Sequence, residues 1–199
     1  MAKSGCISEI SHILLTHLHG DHVGSLFQLI LDMNLRSEPG RKSTIVYPSH
    51  AFLQEIEAFL TFWFPQPRDV VEFVPLSQID GVGALDTTNK HIVGITSFAY
   101  YFTDGSSLIY FSGDVGDVTV AADFLRDRKE TNVTVFHEIH HLKGSAHTHY
   151  RDVMNQLSDY KVFGYHCNPA KIPADNTIPL VANTPDLLFE NARLSSSAL

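Results

Sequence analysis

Residues 14–24 read "LLTHLHGDHVG", an apolar run followed by His17, His19, Asp21 and His22 within six positions. Histidine is an uncommon residue and a carboxylate is costly to bury unpaired, so four such groups after an expected strand need a reason. His17 and His19 stand two apart, and an extended segment projects both to one side. Gly20 permits a tight turn, which puts Asp21 and His22 at the start of the following helix, facing away from the first pair. Ligands offered from two directions suit two adjacent metal ions better than one. Imidazole together with carboxylate suits zinc or a similar borderline divalent ion.

Working outward, apolar periodicity predicts strands at residues 13–15, 44–47, 70–74, 133–136 and 161–165, and a hairpin of 92–102 with 107–111 around Asp104-Gly105. It predicts helices at 23–33, 50–63, 118–128 and 150–160, a loop at 36–42, and one short helix in the tail after residues 183–185. Strands with interspersed helices imply a layered α/β arrangement, and 199 residues without repeat or linker suit one domain. Ligand-type residues recur just after strands. Ser112-Gly113-Asp114 follows 108–111, His137 and Glu138 follow 133–136, and His166 follows 162–165. Loops at one edge of a rigid sheet are where sites are assembled.

The formal net charge of −8, with no basic block, argues against a general nucleic-acid-binding surface. A small anionic substrate stays compatible with it, because bound divalent cations reverse the local field. Twelve histidines are the compositional oddity. Cys6 and Cys167, far apart in the chain, read as reduced thiols of a cytoplasmic protein. The opening residues lack the apolar core of a signal peptide and no window is long enough to span a membrane, so no membrane partner is expected.

The run His17-Leu18-His19-Gly20-Asp21-His22 resembles the signature of the metallo-β-lactamase superfamily. That resemblance implies an αββα sandwich with a dinuclear site at one edge. It implies His17 and His19 as ligands of the first metal, Asp21 and His22 of the second, Asp114 as the bridging carboxylate and His166 as the last ligand. For the remaining first-metal ligand it suggests His91, which precedes Ser97-Phe98-Ala99-Tyr100, a stretch similar to one in the ribonuclease Z branch. His50, after Pro48-Ser49, is the alternative. Diiron redox members carry glutamate where this chain has His19, so the implied cofactors are two hydrolytic divalent ions, zinc first and manganese second.

Residues 135–150, "VFHEIHHLKGSAHTHY", resemble the segment of ribonuclease Z-like phosphodiesterases in which a glutamate after a strand orients a histidine. The implied catalytic residues are Glu138 and His147, with His149 the rival histidine, and Asp21 counted with them. At least two of His137, His140, His141 and His149 are expected to be solvent-facing loop residues. Ribonuclease Z grips tRNA with a basic inserted arm, and no such insertion is found here. The implied substrate is therefore a nucleotide or cyclic nucleotide phosphodiester, as in the compact relatives that include the anti-Pycsar type acting on cyclic pyrimidine mononucleotides. The alternatives are tRNA 3′-end processing with RNA as partner, hydrolysis of a thioester, lactone or β-lactam, and a non-catalytic metal-binding module. The branch also implies a homodimer. Sixteen residues precede His17, so the resemblance covers about residues 7–168 and omits the family's opening strands. The expected fold is that sandwich lacking its N-terminal strands, with an unpaired sheet edge and exposed apolar surface.

Overall fold

In the computed structural model, residues 10–36, 42–144 and 146–184 are described. One sheet contains β1 (His12–Leu14), β2 (Ser43–Tyr47) and β3 (Val71–Pro75), in that order and all parallel. Parallel neighbours need crossover connections. These are supplied by α1 (Gly20–Val23) with α2 (Leu26–Arg36), then by α3 (His50–Thr61) with α4 (Pro67–Val70). The second sheet runs β4 (Val82–Asp86), β5 (Phe98–Thr103), β6 (Ser107–Phe111), β7 (Asn132–Glu138) and β8 (Lys161–Tyr165) in chain order. Its first three strands are antiparallel; β6, β7 and β8 are parallel, joined through α5 (Thr119–Arg126) and α6 (Tyr150–Gln156).

Two clusters of buried side chains define the layers. Ile30 of α2 and Phe52, Ile56 and Leu60 of α3 pack with Ile13, Ile45 and Val71. Leu125 of α5 and Val153 and Leu157 of α6 pack with Leu108, Tyr110 and Val135. Helices therefore cover the outer face of each sheet. The inner faces meet, with the Tyr100 hydroxyl donating to the Leu15 carbonyl at 2.8 Å and the Phe98 N–H donating to the Thr16 carbonyl at 2.9 Å. The result is an α-β-β-α sandwich. β1 is the edge strand of the smaller sheet, and Ile109, Phe111 and Phe136 are half-buried around an inter-sheet cavity of about 480 Å³.

Besides the unexpected short α4 and shifted helix ends such as that of α6 at Gln156, the elements depart from the sequence expectations in four places. The helix expected over 23–33 is two helices, because the Gly24 N–H closes a separate turn on the Gly20 carbonyl at 2.7 Å. β4 was not expected: its Val-Gly-Ala-Leu run lacks a β-branched pattern, and Gly83 is needed there because a Cβ would collide with the Tyr101 ring. The strand expected from residue 92 begins only at Phe98. A loop precedes it, closed where the Thr87 N–H donates to the Ser97 carbonyl at 2.9 Å. β7 runs through His137 and Glu138, which therefore lie in the strand rather than after it. Most of the 36–42 loop and the short tail helix expected after residue 185 fall outside the described residues. No helix among the described residues is long and apolar enough to cross a membrane.

Candidate metal centre

The strands that end at one edge of the sandwich each deliver a polar group. β1 leads through Thr16 to His17 and His19, α1 begins with Gly20, Asp21 and His22, β6 leads to Asp114, β7 ends on Glu138, and β8 leads to His166. The loop after β4 contributes His91, and the segment between β7 and α6 contributes His147.

Three groups of donor atoms result, each with its members within 4.8 Å of one another: His17, His19 and His91; Asp21, His22, Asp114 and His166; and Asp114, Glu138, His147 and His166. In the first, His17 Nε2 lies 3.0 Å and His91 Nε2 lies 3.3 Å from His19 Nδ1. Tetrahedral zinc–nitrogen bonds of about 2.0–2.1 Å put ligand atoms about 3.3–3.4 Å apart, so this spacing fits a metal. Asp114 Oδ2 is common ground. It lies 3.3 Å from His22, 3.6 Å from His166, 3.9 Å from both His91 and His147, and 4.0 Å from His17. Asp114 Oδ1 is buried and has no hydrogen-bond partner among the described residues. A carboxylate ringed by five imidazoles, with one oxygen left unpartnered, is a donor set suited to divalent cations.

Outer contacts fix these side chains. His17 Nδ1 meets Thr16 Oγ1 at 3.1 Å, and His91 Nδ1 donates to the Ala146 carbonyl at 3.1 Å. Such bonds set the tautomer and aim the other ring nitrogen inward. His147 Nδ1 donates to Glu138 Oε2 at 2.5 Å, while Glu138 Oε1 accepts the Val115 N–H, so both oxygens of this buried carboxylate are used. His166 Nε2 donates to Asp21 Oδ2 at 3.1 Å.

Electrostatics divide the groups. Burial, then the charge of His22, lowers His17 to about 4, so its imidazole is neutral at pH 7. Burial opposes ionisation of Asp114, but His22, His166 and His17 outweigh it and hold the carboxyl below its usual range. The hydrogen bond from His166 lowers Asp21. Glu138 raises His147 by its hydrogen bond, and Glu138 followed by Asp21 raises His166 to about 9.

The alternatives left open by sequence separate in space. His50 is an exposed residue at the start of α3, whereas His91 stands against His19. His149 lies beside the Tyr150 ring, whereas His147 holds Glu138. His137 is not a solvent-facing loop residue. It is fully buried in β7, with Nδ1 donating to the Glu138 carbonyl at 2.7 Å. Sequence reasoning missed Thr148, whose hydroxyl donates to the Val115 carbonyl, and Tyr165, whose hydroxyl reaches the Gly113 carbonyl. No local pattern marks either one.

The family model of the anti-Pycsar protein Apyc1 matches residues 2–177. The chain belongs to the Apyc1 family. Among solved structures, the Apyc1-family chain is similar to the metallo-β-lactamase fold protein YhfI of Bacillus subtilis, at TM-score 0.58 and 17% identity, over 81% of this chain and 66% of that one. It is similar to the short form of human tRNase Z, at TM-score 0.58 and 16% identity, over 83% of this chain and 76% of that one. A diphosphatase of the PhnP family gives 0.57 and 18%, over 86% and 68% respectively. At such identities the likeness is one of fold, and that fold is the metallo-β-lactamase sandwich. The chain spans slightly under two thirds of YhfI. No curated protein sequence matches it.

Proposed function

We propose that this protein is a metal-dependent phosphodiesterase that hydrolyses a cyclic nucleotide. The observation that carries this reading is the Glu138–His147 pair beside Asp114, with His147 Nδ1 3.9 Å from Asp114 Oδ2. A hydrolase that needed cations alone would have no use for this pair.

His17, His19 and His91 would hold one divalent cation and Asp21, His22, Asp114 and His166 a second, with Asp114 serving both. Such ions supply Lewis acidity at phosphorus and an attacking water whose pKa is brought toward neutrality. The chain's own residues do the rest. Glu138 accepts from His147 Nδ1 and raises its pKa, which keeps the imidazole protonated closer to neutral pH. As water oxygen bonds to phosphorus and the ring P–O bond breaks, His147 donates its proton to the departing sugar oxygen. Asp21, ionised and exposed, accepts the proton from the attacking water. The product is a nucleoside monophosphate. The chain's net charge of −8 and family membership favour a small cyclic diester over RNA.

The test is turnover of a panel of cyclic mononucleotides by the purified chain loaded with zinc or manganese. Chelator-sensitive formation of a nucleoside monophosphate is expected, and it should be lost in His147→Ala with both cations retained. A metal-loaded chain inert toward every cyclic nucleotide but active on a thioester or lactone would overturn the reading.

A further inference from the structure

Tyr165 takes no part in that chemistry, yet its hydroxyl is committed to the turn that carries Asp114. Its Oη donates to the Gly113 carbonyl at 2.6 Å and lies 2.9 Å from Ser112 Oγ, which in turn accepts the Glu138 N–H at 3.0 Å. Ser112 Oγ is also 2.6 Å from the Gly113 carbonyl. Each hydroxyl has one proton. One assignment links every group in sequence: Glu138 N–H to Ser112 Oγ, Ser112 O–H to Tyr165 Oη, and Tyr165 O–H to the Gly113 carbonyl. The relay ties together the ends of β7, β6 and β8.

The carbonyl at the end of this relay belongs to the planar peptide unit that continues into Asp114, so fixing it fixes how Asp114 leaves the turn. Two left-handed backbone conformations lie here: the first is open to glycine alone, and the second needs such restraint. Gly113 has φ +61°, and a Cβ on it would come within 2.9 Å of the Phe98 carbonyl oxygen. His166, directly after Tyr165, has φ +57°, a region that residues with a Cβ disfavour unless their surroundings impose it. The Tyr165 ring stacks on Phe111 with centroids 4.8 Å apart, which anchors β8 just before that turn.

We propose that Tyr165 is a positioning residue: through Ser112 and Gly113 it holds Asp114, and through its own backbone His166, in place for a divalent cation without touching cation or substrate. This rests on the metal-centred reading above, but its test needs no turnover. Tyr165→Phe keeps the ring and its stacking and removes only the hydroxyl. Zinc is titrated into the metal-free full chain by calorimetry, and melting is recorded with and without zinc. The expected result is a metal-free melting temperature close to that of the parent, a smaller zinc-induced rise, and affinity for the weaker-bound zinc lower by about 10-fold, as for other groups that orient ligands. Substitution to Phe with unchanged zinc affinity would overturn the proposal. So would a fall in the metal-free melting temperature as large as the fall with zinc, which marks a merely structural tyrosine. If Tyr165→Phe does not fold, Ser112→Ala interrupts the same relay one step earlier and the same two outcomes decide. A parent chain that binds zinc yet cleaves no cyclic nucleotide sinks the proposed function and leaves this inference standing. A parent that binds no zinc sinks both.

Discussion

The His17–His19–His91 group and the Asp21–His22–Asp114–His166 group stand side by side but rest on different physics. The first is all imidazole, and its central member is wholly buried and held neutral by that burial, with a pKa of about 4. Its edge meets Asp114, whose Oδ2 lies 4.0 Å from His17 and 3.9 Å from His91. The second contains two carboxylates held ionised by the histidines around them, and His166 is raised to about 9, so its proton is retained through neutrality. In the metal-free chain, protonated imidazole there takes the part a cation would play. Burial prepares His17, charge prepares the second group, and filling the second must release the proton that His166 holds.

The sharpest way to break this comparison is at the residue the two groups share. Asp114→Ala should lower kcat/KM by about 10⁴-fold, since it removes several kcal/mol of charge stabilisation, and should reduce bound zinc below the parent's content. Retention of full metal content would show that the groups do not depend on a common carboxylate. His147→Ala should lower kcat by about 10³-fold, a typical general-acid effect, while elemental analysis finds the metal content unchanged. Loss of metal with activity would instead make His147 a ligand, as its place in the third donor group allows.

Chelation should come next in size. A zinc concentration 100-fold above the dissociation constant adds about 2.7 kcal/mol, so melting should shift down visibly when a chelator is added.

The smallest effect is the pH profile of the metal-free chain. His17 has a lowered folded pKa, so its contribution is present above the unfolded value of 6.5 and is lost as pH falls toward 4. His166 has a raised folded pKa, so its contribution is complete below 6.5 and is lost as pH rises toward 9. Thermal melts of the metal-free chain should therefore peak near the unfolded histidine value, and His166→Ala should flatten only the alkaline side. A profile in which that substitution changes the acid side would reverse the assignment of charge to the second group.

Much of the fold and many of the donor groups are legible in the sequence. The six residues from His17 to His22 are close because they are covalently close, and an extended segment followed by a turn sends them in two directions whatever surrounds them. The alternation of apolar runs with Ser112-Gly113-Asp114, Glu138 and His166 likewise follows from local patterning, which implies a layered α/β arrangement; the sandwich itself came from the family resemblance of residues 17–22. Two failures of local reading are equally specific. β4 carries two small residues, Gly83 and Ala84, and is recognisable only from its pairing with β5, where they lie opposite Tyr101 and Tyr100, and β7 runs two residues further than its apolar core because His137 and Glu138 pair with Gly164 and Tyr165 of β8.

What the sequence determined by itself was the kind of chemistry: donor types, their order, and the strand ends that present them. Only the tertiary structure decided which of these groups meet. His91 reaches His19 across 72 positions while His50 turns to solvent, His147 rather than His149 meets Glu138, and Tyr165 closes on a carbonyl 52 positions away. Such choices depend on how two sheets and their loops meet, and no spacing along the chain encodes a contact that packing alone brings about.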